Sequence, residues 1–364
     1  MKFRCERDVL AEAIGTAARA ATGRTGALPV LSGVRLALIG DELTATGTDL
    51  EMTIRVSETV AGESDGVCVL PGRLSGDIVR SLESGAVSFE IQGDEAQISA
   101  GRSTFSVRTL GADDFPKLPE AASNAVILPA SLLGDALKQV VRAASNDESR
   151  PILTGVLMAA EASGVRLVAT DSYRLAVRDL AEAPVLGSEQ KGLVPSRALS
   201  ELTRLLSAGS EVTLRLGDRD ATFEAGRVRL STRLIEGEFP NYRQLIPTNQ
   251  PNRLTVRRDA LLDAIKRVKL LARDTTPIRL TMSADRLDLT AITQDIGQAT
   301  ESLDAQYDGA DLTVAFNAEY LSAGVDAVIG DEVVLETLDA LKPALVKSAT
   351  ADGFLYLLMP VRVP

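Results

Sequence analysis

The sequence predicts an α+β protein made of three copies of one domain. Three recurring landmarks carry that expectation, and a length of 364 residues, too long for one small domain, leaves room for them. The first landmark is a short strand running into an amphipathic helix, over Phe3 to Ala20, Ile127 to Ala144 and Leu254 to Ala272. Asp8, Ser131 or Asp259 is placed to cap each helix. Leu10, Leu133 or Leu261 follows two positions on, and Ile14, Leu137 or Ile265 four further, the apolar i, i+4 stripe of a core-facing helix. These copies stand 123 and 128 residues apart.

The second landmark is a proline opening a helix. Pro71-Gly72-Arg73 begins one through Leu82, and Pro195-Ser196-Arg197 begins another through Leu206, 124 residues later. In the last third, Asn317 to Val328 takes the equivalent place without the proline. The third landmark closes each copy with Phe115-Pro116, Phe239-Pro240 or Met359-Pro360, at offsets of 124 and 120 residues. Between landmarks, Val87 to Ile91 and Val212 to Leu216 alternate apolar and polar as half-buried strands do, and Gly93-Asp94, Gly217-Asp218 and Ala284-Asp285 mark turns. The expected domains are 1–122, 123–250 and 251–364, with Asn249-Gln250-Pro251-Asn252 the clearer linker.

Composition narrows the function. There is no histidine, which removes Ser-His-Asp and Cys-His nucleophilic sites, HExxH zinc sites and histidine general bases together. Two cysteines, Cys5 and Cys68, are too few for a metal cage or a disulfide framework. No GxxxxGK[ST] phosphate loop occurs. Paired acids such as Asp113-Asp114 or Asp218 with Asp220 fall in turn-like segments where solvated carboxylates belong. A binding protein without a cofactor or metal is expected rather than an enzyme. Charges at Lys2, Arg4, Glu6, Arg7 and Asp8 occupy the place where a signal peptide needs an apolar run, and no stretch is long and apolar enough to span a membrane, so a cytoplasmic location is expected.

The net charge is −11, yet basic residues concentrate on repeated helices. Arg73 and Arg80 share one face two turns apart, and Arg197 and Arg204 repeat them 124 residues later. Lys138 with Arg142, and Lys266, Lys269 and Arg273, add basic faces to the first-helix family, whereas the third copy of the second helix carries Glu319 and Asp326. Such faces suit a sequence-independent track for phosphates, because nothing here suggests base readout.

These features, with Met1-Lys2-Phe3, Glu6-Arg7, Leu28 to Leu31, Thr46 to Glu51, Ala169-Thr170-Asp171, Arg174-Leu175-Ala176, Gly237 to Tyr242 and Met359 to Arg362, resemble the bacterial sliding clamp family, the β subunits of DNA polymerase III, along essentially the whole chain. The resemblance implies a head-to-tail dimeric ring of clamp-type domains. Helices would line a central hole and antiparallel sheets would lie outside. It implies a processivity factor that encircles duplex DNA, held by topology, and tethers replicative and repair polymerases. Its partners would be double-stranded DNA met through the backbone, a second copy of the chain, a clamp loader, and proteins carrying a glutamine followed by Leu-Phe-like residues.

Residue by residue, the resemblance places Arg24, Arg73, Arg80, Arg150, Arg197 and Arg204 facing DNA, and Phe105, Leu270 and Leu271 at the dimer interface. Its peptide cleft maps to Leu153, Thr170, Ser172, Tyr173, Arg174 and Leu175, with Pro240, Gln244 and Leu245, and with Asn317, Tyr320, Leu341, Pro343, Leu357, Leu358, Met359, Pro360, Val361 and Arg362. The chain departs from the best-known members at Ser172-Tyr173, where they have Gly-His, at Gln244, where arginine is frequent, and in running one residue further, to Val363-Pro364. Two other functions fit the residues. One is a specialised paralogous clamp for antibiotic tolerance or repair, and the other a peptide-binding scaffold that never encircles DNA.

Overall fold

A computed structural model describes residues 1–22, 28–116, 125–161, 164–181, 190–206, 210–272 and 276–362. Six α-helices occur among them: α1 (Arg7–Ala17), α2 (Gly72–Ser81), α3 (Ala130–Val140), α4 (Ser196–Leu205), α5 (Arg258–Lys269) and α6 (Ala318–Asp326). Apart from short 3₁₀ turns, the remaining regular structure among the described residues is antiparallel sheet, and the chain forms two compact units, Met1–Ser131 with Ser200–Leu234 and Leu132–Leu199 with Ile235–Pro364.

The first unit holds a five-stranded sheet, from Ala61–Ser64 at one edge to Ser103–Arg108 at the other, and an eight-stranded sheet. The eight-stranded sheet joins repeats, because Met52–Thr59 pairs with Val228–Arg233. The second unit holds a nine-stranded sheet, in which Arg174–Ala181 pairs with Phe354–Leu358, and a four-stranded sheet ending on Gly297–Asp304. The middle repeat therefore gives strands to both units. Among the described residues, strand pairing crosses repeats at these two junctions, so the compact units do not follow the sequence period.

The landmark helices form where the periodicity expects them, with one correction. Asp8, Ser131 and Asp259 are not the N-caps. Glu6 and Arg257 hold those places in α1 and α5, and Ser131 lies inside α3. Each strand turns straight into its helix, and the first helical N–H donates to a backbone carbonyl instead: Arg7 to Gly85 at 2.8 Å, Ala130 to Ser210 at 3.0 Å and Arg258 to Asp331 at 2.8 Å. Asp8 and Asp259 sit in the first turn, where their charge complements the helix dipole. In α6 the side chain of Asn317 caps instead, accepting from the N–H groups of Glu319 and Tyr320 at 2.9 and 3.1 Å.

The cores are aliphatic, as a sequence with 4% aromatics requires, with Phe3 stacked on Phe89 at 4.8 Å between ring centroids. Gly47 marks the tightest approach of α1 to a sheet: a Cβ there would lie 2.0 Å from the carbonyl oxygen of Ala17. Both atoms belong to regular structure, so relief requires the helix to move. Gly47→Ala is expected to cost about 3 kcal/mol, read as a lower denaturation midpoint. An unchanged midpoint would show that α1 yields freely.

Burial pushes the thiols of Cys5 and Cys68 up to about 12. Both stay protonated at neutral pH and are expected to resist a thiol reagent until the protein unfolds. Because the unfolded chain releases these protons near pH 9 and the folded one does not, stability is expected to fall as pH rises from about 9 toward 12. Thiol reaction in the native state at pH 8, as fast as in denaturant, would contradict this.

Candidate functional site

One group of the expected cleft residues is built on the strand pair of the second unit. Arg174 stands opposite Leu358 and Leu175 opposite Leu357, and the N–H of Met359 donates to the carbonyl of Tyr173 at 2.9 Å. Val361 leaves the sheet by donating its N–H to Ala315 at 2.7 Å. Leu175, Leu357 and Leu358 are buried. Leu175 and Leu357 share a cluster with Val168, Tyr242 and Leu345, and so form a floor rather than a surface. Tyr242 belongs to the turn Tyr242–Leu245 and brings exposed Gln244 and Leu245 beside that floor; its own N–H donates to Pro240 at 2.7 Å, and its ring packs edge-on against Phe239 at 6.3 Å.

The turn Thr170-Asp171-Ser172-Tyr173 aims the exposed groups. The Asp171 carboxylate accepts from the N–H of Tyr173 at 2.9 Å and of Arg174 at 3.0 Å, and from Arg174 Nε at 2.9 Å. Thr170 Oγ1 accepts from the Ser172 N–H at 3.2 Å and donates to Arg174 O at 2.7 Å. Tyr173, 58% exposed, is thereby presented to stack on Tyr320 of α6 at 6.4 Å, while the Arg174 guanidinium lies 4.3 Å from the Tyr320 ring centroid. Tyr356 donates its hydroxyl to Tyr320 O at 3.0 Å. Burial pushes Tyr356 up to about 12, and burial together with the Asp171 charge raises Tyr320. Both phenols are neutral across the physiological range. The result is an aromatic wall over an aliphatic floor, rimmed by adaptable Met359, which is 39% exposed.

Other expected positions are placed without being tied into this group. Leu153 is buried in the turn Pro151–Thr154, next to Arg150, whose guanidinium reaches Ser172 Oγ at 3.4 Å. Pro343 accepts from Gln250 Nε2 at 2.9 Å; Leu341 and Arg362 are exposed, and Pro360 is half-buried. Among the described residues no three His, Cys, Asp or Glu side chains are grouped to hold a metal.

Arg73, Arg80, Arg150, Arg197 and Arg204 are all exposed; Arg24 lies outside the described residues. Arg80 pairs with Asp77 at 2.5 Å, Arg204 with Glu201 at 2.6 Å and Arg150 with Asp147 at 2.9 Å. The basic residues expected on the first-helix family are paired as well. Lys138 pairs with Asp135 at 3.1 Å, Lys266 with Asp263 at 3.2 Å, Lys269 with Glu319 at 2.5 Å and Arg142 with Asp326; Arg273 is outside the described residues. Glu319 and Asp326, the acids that break the repeat, are therefore the partners of neighbouring basic helices.

Family models for the DNA polymerase III β subunit match in order, the N-terminal domain over residues 1–119, the central domain over 127–241 and the C-terminal domain over 243–362. The chain belongs to the DNA polymerase III β subunit family. It is 36% identical to the β sliding clamp of Streptomyces coelicolor, over the full length of both chains. It superposes over its full length on the sliding clamp of Bacillus subtilis with a TM-score of 0.93 at 29% identity, and on that of Bartonella birtlesii, solved with griselimycin bound, with a TM-score of 0.94 at 30% identity. The fold is thus the three-domain sliding-clamp fold, and the function is that of a polymerase processivity clamp.

For a clamp of this family the two departures at Ser172-Tyr173 have a physical reading. Ser172 has φ = 81°, the left-handed region that glycine enters without penalty, so this chain accepts local strain at this turn. The Thr170 and Asp171 hydrogen bonds hold it there. The first repeat builds the same turn: Thr48 Oγ1 accepts from Leu50 N–H at 3.1 Å, Asp49 Oδ1 accepts from Met52 N–H at 2.8 Å, and Leu50 has φ = 76°. Sequence reasoning missed Asp171, Tyr242 and Tyr356 as supports of the wall. The Thr-Asp pair recurring 122 residues apart was the available signal for Asp171. At the expected dimer positions, Phe105 is 37% and Leu270 85% exposed, and Leu271 is half-buried.

Proposed function

We propose that two copies of this chain close head to tail around duplex DNA and slide on it without a catalytic step, tethering polymerases and repair proteins through the cleft built on Tyr173, Tyr320 and Met359. The domains are those of the sequence period, 1–122, 123–250 and 251–364. A loader supplied by other proteins opens the ring in the cytoplasm. The observation that carries closure is a pair of open sheet edges. Ser103–Arg108 ends the five-stranded sheet, with Arg108 exposed on it, and Gly297–Asp304 ends the four-stranded sheet, with Asp304 exposed and Glu301 paired to Arg267 at 2.7 Å. The opposite edges of the same sheets already have partners: Gly62 N–H donates to Asp41 at 3.0 Å, and Ala315 accepts from Val361. An open strand edge is a template for another chain, and a C2 pairing of unlike edges gives two identical junctions.

DNA contact then needs only the exposed arginines. Their ion pairs with neighbouring acids are solvent-exposed and worth less than about 1 kcal/mol each, so a phosphate displaces the acid readily and is released as readily. The test is retention on circular DNA before and after linearisation, with the matching loader and ATP. Retention on the circle and loss from the cut form are expected. Equal retention on both would mean ordinary backbone binding and end the ring reading.

A further inference from the structure

A row of side chains crosses the eight-stranded sheet on the face turned away from α1. Gly47 faces α1, so its neighbour Thr46 points to the opposite face. The register sets Arg35 opposite Thr46, Thr46 opposite Arg55, Arg55 opposite Arg229 and Arg229 opposite Glu224. Strands lie about 4.8 Å apart, so three guanidinium stems fall within four adjacent strands. Like charges directly opposite one another oppose pairing, and the available acid does not cancel them. Glu224 contacts Arg229 at 2.7 Å and is shared with Arg215 at 4.0 Å. Among the described residues, no carboxylate pairs with Arg35 or Arg55, in a protein whose acids outnumber its bases by eleven. Thr46, between those two arginines, is 1% exposed, and its Oγ1 has no hydrogen-bond partner.

We infer that Arg35, Thr46, Arg55 and Arg229 form a site for a phosphate-class oxyanion, free or carried by a small molecule. A tetrahedral oxyanion accepts from guanidinium forks on two sides and from a hydroxyl between them, and the charge-assisted bonds are the strong kind. It satisfies the one buried hydroxyl in the row and offsets the facing arginine charges at once. The environment of Arg55 agrees: burial first, then the charges of Arg229 and Arg35, push its pKa below the ordinary value, so a charged form held there gains from a counter-anion. The site lies on the sheet face away from α1 and uses none of the residues assigned to the cleft, the DNA track or the dimer edge.

Thermal unfolding in inorganic phosphate against chloride at equal ionic strength tests it, on the intact protein and on two variants. Phosphate is expected to raise the melting temperature of the parent chain above its value in chloride. Arg55→Gln should weaken the apparent phosphate affinity at least tenfold, and Thr46→Val should weaken it a few-fold. In chloride alone both variants should melt at or above the parent, because one loses a facing like charge and the other an unpartnered hydroxyl. The arginines on the helices are unchanged in both, so the difference belongs to this row. A second arm with a nucleoside monophosphate separates the sources: tighter binding than phosphate assigns a carried phosphoryl group, and equal binding assigns the free ion. Variants that keep the whole phosphate increment, or an equal increment from chloride, would overturn the site.

Discussion

Replacing Phe105 by aspartate is expected to convert the dimer to monomers at concentrations where the parent chain is fully dimeric. Phe105 lies on the open edge strand Ser103–Arg108 and is 37% exposed, so the isolated chain keeps its fold with a carboxylate there. Covering the ring in an apolar junction is worth about 2–3 kcal/mol, and a carboxylate in its place would have to be desolvated. A head-to-tail pair contains the junction twice, so one substitution is felt twice. The summed loss of about 4–6 kcal/mol raises the dissociation constant by roughly 10³–10⁴. Leu270→Asp, on the other side of the junction and 85% exposed, is expected to act in the same direction. Sedimentation equilibrium reads the mass and circular dichroism confirms the fold. A Phe105→Asp chain that stays dimeric with an unaltered dissociation constant would place the junction elsewhere.

The open edges also explain which parts of this protein were legible before the fold was known. The periodic elements were, because each helix must show Leu10 and Ile14, or their counterparts, to a sheet, and because a strand such as Val212 to Leu216 alternates by necessity. Helix starts were not. A residue such as Asp8 has the chemistry of a cap, but the cap used is the carbonyl of Gly85, which lies 78 positions from the Arg7 N–H it accepts from and is invisible to local pattern. The same limit governed charge. Lys269 and Arg142 look like members of a phosphate track until α6 brings Glu319 and Asp326 to them. For the cleft the resemblance named residues of the strand pair and the wall without distinguishing floor from surface: Leu357 and Met359 are two residues apart, and only burial separates a core side chain from an exposed one. The compact units were illegible for a related reason. Pairings such as Arg55 with Arg229 join strands far apart in sequence, and no periodicity announces them.

That separation of floor from surface decides how the cleft should be tested. Removing Leu357 is a poor probe, because a buried leucine cut to alanine costs about 2–5 kcal/mol of stability and confounds binding with unfolding. Tyr173 and Met359 are the informative pair. Both are exposed, and they are joined to each other through the Met359 N–H and the Tyr173 carbonyl, a backbone bond that side-chain truncation leaves in place. Tyr173→Ala with Met359→Ala is expected to weaken binding of a Gln-Leu-Phe-type peptide by about 10- to 100-fold, roughly 1.4–2.8 kcal/mol, as for loss of a large aromatic anchor and its apolar neighbour. The melting temperature should be little altered, since Tyr320 keeps Arg174 over its ring and the hydroxyl of Tyr356 at its carbonyl. Fluorescence anisotropy with a labelled peptide measures the first quantity and calorimetry the second. Affinity within twofold of the parent would show that the peptide does not use this wall. A parallel fall in melting temperature would show that the stack of Tyr173 on Tyr320 supports the fold rather than presenting a surface.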